Sequence, residues 1–82
     1  MAGAIIGAEA HIGAHVIIGS GAIVEHECVV ADYAHIASGA RLGGGVQIGT
    51  RTIVDTGGIV KRLVRIADDL VVQTGAVITN SL

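Results

Sequence analysis

Along the chain a branched aliphatic residue returns at every sixth position: Ile6, Ile12, Ile18, Val24, Val30, Ile36, Leu42, Ile48, Val54, Val60, Ile66, Val72 and Ile78. No insertion breaks the series. Two residues before each member lies a second column: Ala4, Ala10, Val16, Ala22, Cys28, Ala34, Ala40, Val46, Thr52, Gly58, Val64, Leu70 and Ala76. It is mostly small or apolar. Residues two apart on an extended strand point to the same side, so each hexad sends two side chains inward. Between hexads the chain passes through positions rich in Gly, Ser, Thr and Asp, which favour turns. No helical period competes with the period of six. A six-residue unit cannot bury its apolar face alone, so the pattern predicts units wound into a stacked solenoid.

Composition narrows the function classes. Eighty-two residues allow one domain. Tyr33 is the only aromatic residue and there is no proline, which argues against a compact core built on large rings. A hydrophobic fraction of 51% with only 15% charged residues excludes disorder. The longest stretch free of Asp, Glu, Lys and Arg runs from Ala10 to Val24 and holds two histidines, a serine and three glycines. That falls short of the ~20 apolar residues of a membrane span. Met1 to Ala10 has no basic flank, so no signal peptide is expected. One cysteine, Cys28, cannot form an internal disulfide, which fits a cytoplasmic location. A formal net charge of −2 argues against nonspecific nucleic-acid binding.

The hexad columns resemble the hexapeptide-repeat acyltransferases, whose three hexads make one triangular coil of a parallel β-helix. The resemblance implies an all-β, single-stranded left-handed β-helix with eighteen residues per coil, although the general rule for parallel crossovers favours the right hand. Residues n and n+18 then stack about one strand spacing apart, ~4.8 Å. Outward positions on the flat faces carry Ile17, Ile23, Val29, Ile53, Ile59, Val71 and Val77. That much exposed aliphatic surface predicts a partner, and self-association is the expected one.

On this stack the densest polar group, Glu25-His26-Glu27, lies under Gly43-Gly44-Gly45. Carboxylates raise the basicity of an imidazole and fix its tautomer. Bare backbone lets an acyl group lie close and offers N–H donors to a developing oxyanion. Taken singly, each residue reads as ordinary turn chemistry; the stacked set reads as an acyl-transfer site. His35 is nine residues from His26, half a coil, so the two meet only across an interface between subunits. His11 and His15 form a His-x3-His pair, but a spacing of four does not align two outward side chains in a six-residue repeat. His15, Tyr33, Arg51 and Asp69 form a stacked column expected to act as a structural ladder. Cys28 is expected to be a buried small hydrophobe. Lys61, Arg62 and Arg65 form the most basic patch, suited either to cofactor phosphates or to solubility.

A narrower resemblance rests on Ile23-Val24-Glu25-His26-Glu27-Cys28-Val29-Val30, followed by Tyr33-Ala34-His35-Ile36-Ala37 and Gly39-Ala40-Arg41-Leu42-Gly43-Gly44. These runs are similar to those of the sialic acid O-acetyltransferases and the N-acetyltransferases of UDP-4-amino sugars. The resemblance implies His26 as general base, Glu27 as its orienting acid and the Gly44 amide as holder of the acetyl-CoA thioester carbonyl. It places His35 at the same intersubunit site, and from the basic patch Arg62 is taken as a candidate contact for the cofactor. It also implies a homotrimer, a sugar or nucleotide-sugar acceptor and no metal. Residues 1–82 are expected to form one β-helix domain without the N-terminal nucleotide-sugar-binding domain usual in the family. Residues 55–63 depart from the family's small-residue turn. The alternative reading is a non-catalytic trimeric scaffold or a truncated relic of an acyltransferase. A γ-type carbonic anhydrase needs three histidines converging on zinc, and the spacings of His11, His15, His26 and His35 do not resemble that arrangement.

Overall fold

A computed structural model describes residues 3–82. Its strands are thirteen two-residue segments: β1 (Ile5–Ile6), β2 (His11–Ile12), β3 (Ile17–Ile18), β4 (Ile23–Val24), β5 (Val29–Val30), β6 (His35–Ile36), β7 (Arg41–Leu42), β8 (Gln47–Ile48), β9 (Ile53–Val54), β10 (Ile59–Val60), β11 (Arg65–Ile66), β12 (Val71–Val72) and β13 (Val77–Ile78). Every strand ends on a member of the six-residue aliphatic series. All pairings are parallel, with Ile5 opposite Ile23, His11 opposite Val29 and Ile17 opposite His35. The register is therefore eighteen residues throughout, and the chain is an all-β parallel solenoid of a little over four coils.

Three sheets form the three faces of the prism. The first is ordered β1-β4-β7-β10-β13, the second β2-β5-β8-β11 and the third β3-β6-β9-β12. Two-residue strands have no stability of their own. They persist because each inward side chain lies on its counterpart one coil away, and full burial of a Val, Leu or Ile contributes roughly 1.5–3 kcal/mol. Val24, Val30, Ile36, Leu42, Val54 and Val60 have at most 1% of their surface exposed. In the first coil, Ile6 and Ile12 remain 39% and 37% exposed, because within this chain a neighbouring coil covers them on one side alone.

The corners follow one design. Most turns are closed by a backbone bond from residue i+3 to residue i, as in Ala22 N–H to Gly19 O and Ala40 N–H to Ala37 O. The third residue of a turn has a left-handed backbone: Glu9, His15, Glu27, Tyr33, Arg51, Leu63 and Asp69 do so at φ of 58–63°, glycine elsewhere. A non-glycine residue there costs roughly 1–2 kcal/mol. This six-residue series of strained positions is invisible in the aliphatic pattern.

At the second corner, between the second and third faces, the ladder His15-Tyr33-Arg51-Asp69 forms as the spacing implies. The His15 and Tyr33 rings stack at 5.0 Å with an interplanar angle of 14°. Arg51 donates to both Asp69 carboxylate oxygens, at 2.6 and 3.0 Å, and holds that carboxyl below the usual carboxylate range. In the second inward column the polar exception, Thr52, is fully buried and donates its hydroxyl to the Ala67 carbonyl.

Leu42 sits in the middle coil with neighbours above and below. Leu42→Ala is expected to destabilise the fold by about 2–5 kcal/mol, read as a lower denaturation midpoint. A loss under ~1 kcal/mol would contradict the stacked-column account.

Candidate active site

The first corner, between the first and second faces, carries the polar residues. Successive coils present Glu25-His26-Glu27, Gly43-Gly44-Gly45 and Lys61-Arg62-Leu63 there. His26 is the second residue of its turn and Glu27 the left-handed third. Their side chains stand in solvent, 64% and 68% exposed, and His26 Nδ1 lies 3.2 Å from Glu27 Oε1. The tautomer that donates Nδ1–H to Glu27 leaves a lone pair on Nε2, the atom that can accept a proton.

The ring leans over the glycine of the next coil. A Cβ built on Gly44 would fall 2.9 Å from both Nε2 and Cε1 of His26. Any side chain at position 44 therefore displaces the imidazole, and glycine is required for close approach rather than for backbone freedom. The coils are held in this register by the Gly45 N–H bond to the His26 carbonyl at 3.0 Å.

Other turns reveal what the Gly44 N–H can do. Ala14, Thr50 and Thr56 are second residues of their turns, as Gly44 is, and each donates its N–H to a carboxylate. Asp32 and Asp68 occupy this position and reach back one coil, where a carboxylate oxygen accepts from Ala14 N and Thr50 N, both at 2.8 Å. With Thr56 N–H donating to the Asp55 carboxylate at 2.8 Å, the coil surface binds anionic oxygen at that amide in three places. One coil beyond Gly44 stands Arg62, a cation, and the Gly44 N–H has no acceptor among the described residues. It is a backbone donor at the corner where the His26 ring stands. An oxyanion placed there would be stabilised as in an oxyanion hole.

The basic residues divide differently from their order in the sequence. Arg65 lies on β11 in the second face and lines a separate groove with Gln47 and Leu82. Lys61 and Arg62 instead share an open groove of about 530 Å³ with Arg41, Gly43, Ile59 and Val60. Arg41 was not apparent as a site residue from spacing alone. Its signal was a single charge in the otherwise aliphatic outward column Ile5, Ile23, Arg41, Ile59, Val77. It also pairs with Glu25 at 3.5 Å, which ties the acidic turn to the groove. Arg62 lies two coils from His26, roughly 9–10 Å along the stack.

His35 begins β6 on the third face, between Ile17 and Ile53. The third face is the side opposite the first corner, so His26 and His35 do not share a site within one chain. His11 lies on the second face and His15 at the second corner, apart from both. Among the described residues no three His, Cys, Asp or Glu side chains gather to hold a metal. No helix among them is long and apolar enough to cross a membrane.

The family description "Bacterial transferase hexapeptide (six repeats)" matches residues 9–44. No curated protein sequence matches the chain significantly. Among solved structures, a histidine-to-alanine mutant of GDP-perosamine N-acetyl transferase from Caulobacter crescentus, in complex with CoA and GDP-perosamine, superposes with a TM-score of 0.99 at 35% identity. The match covers 100% of this chain and 39% of that one. PerB from the same bacterium, with the same two ligands, gives 0.95 at 35% identity over 100% and 40%. A histidine-to-asparagine mutant of the perosamine N-acetyltransferase gives 0.81 at 27% over 96% and 46%. The chain spans about two fifths of the length of the first two of these proteins.

Gly44→Ala should push the His26 ring off its ledge while leaving the fold intact, since the ring is solvent-exposed. Histidine side-chain NMR would show the His26 resonances moving and the thermal midpoint holding. Unmoved resonances would mean that the ring does not rest on Gly44.

Proposed function

Because the chain carries the β-helix of the hexapeptide-repeat acyltransferases, we propose that it moves an acetyl group from acetyl-CoA to an amine or hydroxyl of a sugar-like acceptor, such as a nucleotide sugar. One observation carries this reading: a carboxylate-oriented imidazole whose Nε2 lies against Gly44, a residue whose N–H has no acceptor among the described residues. CoA and a nucleotide-linked amino sugar are the ligands bound by the solved Caulobacter proteins.

In the proposed reaction His26 Nε2 takes a proton from the acceptor amine or hydroxyl, with Glu27 stabilising the imidazolium through Nδ1. The acceptor atom bonds to the thioester carbon. The carbonyl oxygen becomes an oxyanion held by the Gly44 N–H. Collapse breaks the carbon–sulfur bond, and the departing CoA sulfur receives the proton from His26. No covalent enzyme intermediate is needed. Arg62, with Lys61 and Arg41, suits the phosphates of CoA.

The proposed assembly is a homotrimer in the cytoplasm, with left-handed coils as the family resemblance implies. Two faces are largely apolar: the first carries Ile5, Ile23, Ile59 and Val77 around the single charge of Arg41, and the third carries Ile17, Ile53 and Val71 beside His35. The second face carries His11, Val29, Gln47 and Arg65 and is the more polar. The apolar faces meet at a corner of Ser20-Gly21, Ser38-Gly39, Thr56-Gly57 and Thr74-Gly75, small enough for three prisms to close on an axis. The first face of one protomer packed near the third face of the next brings His35 of the partner subunit towards His26. Three equivalent contacts close such a ring.

A positioned base is typically worth about 10²–10⁴ in rate. His26→Ala should lose that factor in kcat while its CoA dissociation constant and far-UV spectrum match those of the unaltered chain. Equal turnover would remove His26 from the reaction. Failure of the unaltered protein to bind millimolar CoA would favour the scaffold reading instead.

A further inference from the structure

Cys28 lies two residues beyond His26, inside the prism, with none of its surface exposed. Its Sγ donates to the Gly43 carbonyl at 3.1 Å. Burial pushes the thiol above its ordinary range, so the sulfur keeps the hydrogen this bond requires.

The Gly43 carbonyl and the Gly44 N–H belong to one trans peptide unit and point in opposite directions. A donor inside the prism that holds the oxygen inward therefore holds the N–H outward. The other partner of that oxygen is the Val46 N–H, longer at 3.4 Å. Gly43, Gly44 and Gly45 run consecutively and glycine accepts many backbone conformations, so the peptide is held by its partners: Gly43 N–H to Val60 O, Leu63 N–H to Gly44 O, Gly45 N–H to His26 O and the Cys28 thiol. Elsewhere the column that contains Cys28 holds no donor side chain except Thr52; half of its other positions are alanine.

We infer that Cys28 is a positioning residue: its thiol fixes the Gly43–Gly44 peptide so that the Gly44 N–H faces the acyl carbonyl. The purpose of this contact rests on the acyl-transfer reading; the contact itself does not. The fold contains a matched case without a site. Thr52, in the same inward column, donates to Ala67 O, again fifteen residues ahead, at a turn whose Asp68 carboxylate accepts from Thr50 N–H.

The test uses the full chain labelled with ¹⁵N. In Cys28→Ala the Gly44 amide resonance should shift or broaden. In Cys28→Ser, which keeps a donor, it should stay near its original position. Acetyl transfer by the alanine variant should lose about tenfold in kcat, part of the 10²–10³ that loss of one oxyanion donor costs. Its affinity for CoA, which has no acyl carbonyl, should not change, and the serine variant should recover the rate. Thr52→Val should lower the melting temperature without moving the Gly44 amide or kcat. An unmoved Gly44 amide in Cys28→Ala overturns the inference whether or not the protein turns over acetyl-CoA. Unchanged kcat in that variant of an active protein overturns it as well. Absence of CoA binding by the unaltered chain would remove the acyl-transfer reading, and the amide resonance would still decide the Cys28 contact.

Discussion

The backbone ladder that joins residue n to residue n+18 governs both the fold and the site. It stacks the inward aliphatics into one continuous column, and no two-residue strand would persist without that column. The same register brings Gly44 beside His26 and Arg62 beyond Gly44. A single inserted residue between positions 26 and 44 would break both arrangements at once. Core packing and site geometry are therefore two consequences of one spacing.

The corners show how a repetitive scaffold acquires local chemistry. In several turns the N–H of the second residue meets a carboxylate. Asp55 supplies it to Thr56 from within the same turn. Asp32 and Asp68 supply it to Ala14 and Thr50 from one coil beyond. At Gly44 the next coil offers a cation, and the donor remains available. Beneath it, Glu27 holds a left-handed backbone at φ 60°, where glycine would be easier. The strain places a carboxylate against His26 Nδ1.

The architecture was legible because the hexad repeats without interruption, and all thirteen strands fall where the aliphatic series puts them. The stacking of His26 on Gly44 followed from adding eighteen, as did the His15-to-Asp69 column. The basic groove was less legible. Lys61, Arg62 and Arg65 are neighbours in the chain, but a strand turns between them and the last points from a different face. Arg41, twenty residues before Lys61, joins the groove instead. Cys28 read as a plain hydrophobe because its bond to the Gly43 carbonyl spans fifteen residues rather than eighteen. The left-handed series escaped notice because its side chains share no chemistry, only a backbone angle.

The central claim is that the His26–Gly44 corner binds the acyl donor between subunits. A crystal structure of the chain with acetyl-CoA tests it most directly. The account predicts the thioester carbonyl oxygen at hydrogen-bond distance from Gly44 N and the carbonyl carbon beside His26 Nε2, with His35 of the partner subunit across the cleft. Acetyl-CoA bound away from this corner, or a subunit packing that leaves His35 of every neighbour remote from His26, would contradict it.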